Sequence, residues 1–324
     1  MKLLKHTLST LLALFAAIFI IGCSKSSEKE TAPDVEAKLS GTPDVAIKTI
    51  VDAFLDSKGI VMWQSMPASY QNDINAVFQT LGSKVDGEVY DRVFATLNRA
   101  AKISEKQQEF IFNSSLYQDQ TEEEIAAARE AFPAVISLLN TLTSSSIASS
   151  QELIKFDGHK FFDTTVSSIL ADVKTIAKMS PELDDEDGTL SYDEIINNLK
   201  NLNVVVVDST ETEATLKFKL PNESSEEEET FVKVEKRWVP KEMADEWSAE
   251  IGKIKQQLNS ISTEQMAQFT PQINNTLAMF DMVLNQIESA KTQEEFDAAA
   301  QSAMMPIMGM AMSFMMMNQE KGAE

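Results

Sequence analysis

Side chains able to do chemistry are few in this chain. Among 324 residues there is one cysteine, Cys23, and there are two histidines, His6 and His159. That inventory removes the usual material for zinc sites, disulfide frameworks, cysteine nucleophiles and Ser-His triads. No G-x-S-x-G elbow, phosphate-binding loop or dinucleotide fingerprint occurs. His159, within Phe156-Asp157-Gly158-His159-Lys160, stands alone beside a helix start and reads as structural or exposed rather than catalytic. What remains is 50 carboxylates and 16 thioethers. Two clusters of them stand out, an acidic stretch at 184–194 and a methionine-rich run at 304–317.

The acidic stretch, Asp184-Asp185-Glu186-Asp187-Gly188-Thr189-Leu190-Ser191-Tyr192-Asp193-Glu194, resembles an EF-hand loop. With Gly188 as the turn glycine, Asp185, Asp187, Thr189 and Glu194 take the third, fifth, seventh and twelfth positions. The resemblance implies calcium, an ion that takes about six to eight oxygen ligands. The first position is Leu183, which has no side-chain oxygen, so Asp184 would have to shift into its place. The alternative is an acidic lead-in to a capping box at Ser191 and Glu194, where negative charge suits a helix N-terminus. A pair of carboxylates would also suffice for hydrolysis of the glycosidase kind, although nothing singles out one pair.

The run at 304–317 holds eight of the 16 methionines, with Met305, Met308, Met312 and Met315 at helical spacing. Thioethers in that number are soft enough to ligate Cu(I). A helix apolar all round is more often packed against a core, a partner or a membrane surface, and flexible methionines suit varied apolar partners. Starting at Pro306 it has about 12 residues and ~18 Å of length, too short to cross ~30 Å of hydrocarbon.

Cys23 closes an export signal. Lys2 and Lys5 precede an uncharged stretch whose densest apolar run, 11–21, is shorter than the ~20 residues a spanning helix needs. Ile20-Ile21-Gly22-Cys23 resembles the lipobox of bacterial lipoproteins. The resemblance implies a diacylglyceryl thioether on Cys23, cleavage before it and acylation of the new amino group. Several acyl chains, each worth ~0.8 kcal/mol per buried methylene, hold a protein firmly on a bilayer without spanning it. Ser24 is similar to the outer-membrane sorting pattern of such proteins, which implies the periplasmic face of the outer membrane.

Positioning these groups requires a scaffold, and the composition describes one. Only ten glycines and nine prolines, with 43% apolar residues, favour long helices around a sizeable core. A formal charge of −22 repels phosphate backbones and excludes nucleic acid as a partner. Residues 1–22 read as signal peptide, 23–43 as lipidated cysteine and flexible tether, and 44–324 as one periplasmic domain. S/T-x-x-E/Q capping boxes begin at Ser104, Thr121, Ser191, Ser262 and Thr292. Gly59, Gly82 and Gly158 read as helix stops, and Pro133 as a kink.

Alternation at 204–207, 214–220 and 232–238 predicts a small antiparallel meander over about 203–239, with 222–229 as a mobile acidic hairpin loop. Val232-Lys233-Val234-Glu235-Lys236-Arg237-Trp238-Val239-Pro240 is similar to a segment of uncharacterised bacterial lipoproteins. The expected fold is α+β, mostly α, with helical groups flanking the meander. The expected role is a non-catalytic one in the cell envelope, holding a protein or apolar partner. A calcium-binding module is the alternative, and a carboxylate-based hydrolase comes third. Replacing Cys23 by Ser is expected to abolish palmitate labelling and leave the leader attached, read as a higher intact mass.

Overall fold

The computed structural model describes residues 33–118, 120–179, 192–221 and 226–302. In chain order the helices are α1 Pro33–Leu39, α2 Pro43–Leu55, α3 Gly59–Gln64, α4 Ala68–Lys84, α5 Gly87–Lys106, α6 Gln108–Phe112 and α7 Glu122–Thr143. Short α8, Ser150–Leu153, precedes α9, Gly158–Phe161, which runs through a π turn at Phe162–Val166 into α10, Ser167–Met179. Then come α11 Tyr192–Lys200, strands β1 Asn203–Ser209, β2 Glu213–Lys219, β3 Glu227–Val234 and β4 Arg237–Pro240, and helices α12 Lys241–Ser260, α13 Thr263–Ser289 and α14 at 293–302. The fold is α+β and mostly helical, its four strands forming one antiparallel sheet in the order β1-β2-β3-β4.

Local signals account for much of this. Thr121 and Ser262 form reciprocal capping boxes with Glu124 and Gln265 at the starts of α7 and α13. Thr292 Oγ1 accepts from the Glu295 amide at 3.3 Å, while the Glu295 carboxylate takes the Lys291 amide instead of its own cap's. Ser104 departs from expectation. It lies inside α5, and Gln107 turns away to donate from Nε2 to the Ile287 carbonyl at 2.9 Å, closing the end of α13. α7 continues through Pro133 as one helix.

Three expectations need correction. Gly59 and Gly158 open helices and Gly82 sits within one, because each marks a close approach rather than a stop. A methyl at Gly158 would overlap the Trp63 indole; one at Gly59 would meet the Phe162 carbonyl; one at Gly82 would lie 2.7 Å from the Ile154 nitrogen. The stretch read as tether is helical from Pro33, and Leu39 is only 1% exposed. Its few apolar residues fall on one side, where a preformed core receives them, so low average hydrophobicity misled. The acidic segment at 222–229 is strand from Glu227, where Lys217 on β2 pairs with Glu226 and Glu228 across the ladder and offsets part of the repulsion in the run. Residues 222–225 lie outside the described residues.

The main core gathers Met62, Trp63, Ile74, Phe78, Leu153, Phe156 and Phe162 from α3, α4, α8, the loop after it and the π turn. Phe78 stacks on Phe156 with centroids 4.5 Å apart, and Trp63 lies 5.0 Å from Phe162. Ser167 explains the π turn: its hydroxyl donates to the Phe162 carbonyl and accepts from the Gly59 amide. That wider turn points Phe161, Phe162, Thr165 and Val166 inward together. α12 docks by stacking Trp247 on Tyr70 at 3.9 Å, with its indole N–H donated to Asp73. A second core forms where α2 (Ala46, Ile47) meets Leu216, Phe218, Phe231 and Trp238 of the sheet. Tyr90 donates its hydroxyl to the Ile147 carbonyl, and burial pushes its pKa up to about 12.

Gly158→Ala is expected to destabilise by about 3 kcal/mol in chemical denaturation, because neither the indole nor the helix start can retreat in a close-packed core. Gly252→Ala is the contrast. No atom lies within 4 Å of a methyl there, and removing a mid-helix glycine is expected to stabilise by ~0.5–1 kcal/mol.

Candidate functional site

Most candidate residues lie outside the described residues: Cys23, Asp185, Asp187, Thr189, Met305, Met308, Met312 and Met315. Glu194 is described, in the first turn of α11, and His159 is half-buried in α9. Among the described residues no group of three or more His, Cys, Asp or Glu is arranged to hold a metal. Glu229 comes nearest to the profile of a general acid: burial raises its pKa, and Glu242 and Glu227 add to that. It sits on β3 opposite Leu216 and lines neither the cleft beside α1 and α2 nor the one beside Pro133.

The surface feature that stands out is the outer strand of the sheet. Among the described residues β1 has a hydrogen-bonded neighbour on one side only. Val205, Val206 and Val207 are 47%, 36% and 51% exposed, so the strand shows apolar side chains on both faces. Natural edge strands are commonly guarded by lysine, proline or a bulge. Here a register shift between Val206 and Asp208 and the charge of Asp208 guard the end of the strand, while 203–207 carries no charge.

A cleft of about 610 Å³ adjoins the start of this strand. Its walls come from α1, α2 and α3, with Leu202, Asn203 and Val204 on the far side. Three ion pairs stand at its rim, Lys38 with Asp34 and Lys58 with Asp56 at 2.8 Å and Lys48 with Asp52 at 2.5 Å, beside a fourth carboxylate, Asp44. Lys58 holds the Asp56 carboxyl below the usual carboxylate range. Val45, Ala53 and Val61 add apolar surface between the pairs. The result is an amphipathic trough beside the exposed edge of β1.

One clamp, not evident from the sequence, positions the cleft wall. Arg237 of β4 grips both oxygens of Glu36 on α1 and donates from Nε to the Gln64 carbonyl at 2.6 Å. Trp238 Nε1 and Lys233 Nζ donate to the Gly41 and Ser40 carbonyls at 2.9 Å, closing the turn between α1 and α2. No signal at Glu36 foretold a partner about 200 residues away. No family model matches the chain, and no curated protein or solved structure matches it.

The bond from Arg237 lowers the Glu36 pKa from its ordinary value near 4.5. A depressed carboxylate contributes stability that is present above the unfolded value and is lost as pH falls through the folded one. In thermal melts from pH 7 to pH 3, wild type is therefore expected to be more stable than Glu36→Gln at neutral pH. The difference is expected to close below about pH 4.5, as α1 lets go of the sheet.

Proposed function

We propose that the protein is a lipid-anchored lipoprotein on the periplasmic face of the outer membrane, with a non-catalytic role: binding an extended segment of a partner protein along β1. Ile20-Ile21-Gly22-Cys23 supports the anchor. The observation that carries the binding role is the open edge of β1 with Val205, Val206 and Val207 exposed beside the cleft.

A row of unshared N–H and C=O groups is complementary to one thing, another extended backbone, and exposed valines at alternate positions select apolar side chains along it. The net charge of −22 favours a neutral or basic partner by steering encounter. Covalent attachment to the bilayer confines the search to envelope proteins.

A photo-crosslinking residue at Val207 in cells is expected to give one discrete adduct, identified by mass spectrometry as an extended segment of an envelope protein. Val205→Lys with Val207→Lys is expected to remove that adduct while changing stability by no more than about 0.5 kcal/mol, since both side chains are already in water. An adduct that survives the two lysines, or none at all, overturns the reading.

A further inference from the structure

α13 packs on α5 through a polar seam. Arg92 donates to Asn274 at 3.1 Å and Asp281 at 2.8 Å, and two turns later Arg99 donates to Asn285 and Glu288 at 2.6 and 2.7 Å. The opposite face of α13 is turned away from α5, and its composition is unusual for a solvent-facing helix. Between Glu264 and Glu288 the only charged residue is Asp281, which is bound to the arginines. The outward positions include Pro271, Gln272, Asn275, Ala278, Met279 and Met282, with Met279 and Met282 41% and 59% exposed. In a chain that is 24% charged, an exposed helix normally carries ions. α12 does, with Lys241, Glu242, Asp245, Glu246 and Glu250 on its exposed side. A face without charges and with two open methionines is one that something covers.

We infer that the covering element is residues 303–317 of the same chain. Three observations converge. First, α14 turns back after Ser289: Phe296 and Ala300 pack on Ile287 and Ala290, and Ser302 Oγ donates to Gln286 Oε1 at 3.1 Å. The next residues thus leave from the edge of this face. Second, the lengths agree. The twelve residues from Pro306 to Met317 would span ~18 Å as a helix, and the twelve residues from Met282 back to Pro271, which bound the exposed positions, span the same ~18 Å.

Third, the chemistry agrees. Residues 303–319 hold no charge, so neither surface asks the other to bury an ion, and methionines adapt to an irregular face of Ala, Pro, Asn and Met. Chain continuity gives the segment an effective concentration on the order of millimolar at α13, which a second copy or a separate protein lacks. An anionic lipid surface is disfavoured by the −22 charge of the chain.

The test uses the full-length chain with a photo-crosslinking residue in place of Met282. The expected product is an internal crosslink, with monomer mobility, joining the α13 peptide to one from 303–317. A crosslink between two chains, a crosslink to lipid, or the absence of any product with 303–317 overturns the inference. Met279→Glu with Met282→Glu supplies a second readout by hydrogen exchange. Uptake across 303–317 is expected to rise roughly tenfold or more while α4 and α9 stay protected, and unchanged uptake there overturns the inference as well.

Discussion

The contact between the Trp63 indole and the bare backbone of Gly158 is the constraint on which the rest of the arrangement depends. Trp63 is 1% exposed, and the ring occupies the space where any other residue at 158 would carry a side chain. The Gly158 amide is in turn donated to Asn75 Oδ1 at 3.0 Å, so a fully buried polar group registers the same junction. α3, α4 and α9 are thereby set against one another. Gly59 and Ser167 then determine how the π turn follows, bringing Phe162 onto the indole. Close packing makes such a joint stiff, because no neighbouring atom has room to yield.

Most of the strong polar contacts brace one element against another. Asp73 receives the Trp247 indole N–H and Lys255, Asp297 receives Ser114, and Arg237 holds Glu36 and Gln64. These groups are engaged in joining helices far apart in sequence. What the molecule presents outward is different in kind: a strand edge lined by valines, a trough rimmed by ion pairs and a long helix face without ions.

The two outward surfaces serve different ends. β1 lies beside the wall built by α1, so the Glu36–Arg237 clamp links acid sensitivity to the geometry next to the edge. α13 is joined to α5 by the arginine seam, and its charge-free face is turned away from α5. The edge of β1 and the outer face of α13 draw on different side chains.

Much of the scaffold was legible in order along the chain. Thr121-x-x-Glu124 and Ser262-x-x-Gln265 are local devices, completed within one turn, so their spacing alone identified two helix starts. Alternation in 214–220 placed β2, since a strand's period is visible without its neighbours. The glycines and Ser104 were misread for one shared reason: what they do depends on atoms far away in sequence, Trp63 for Gly158 and the end of α13 for Gln107. The helical start at Pro33 was missed because its stability comes from Arg237 and the core beneath it.

By itself, then, the sequence determined the things that act over a few residues: the caps, the strand periods, the charge and the poverty of nucleophiles. Only the tertiary structure decided which valines stay in water, which helix face is left without ions and which carboxylates are engaged by arginines. Exposure and pairing are properties of surfaces brought together across many residues, and no local pattern encodes them.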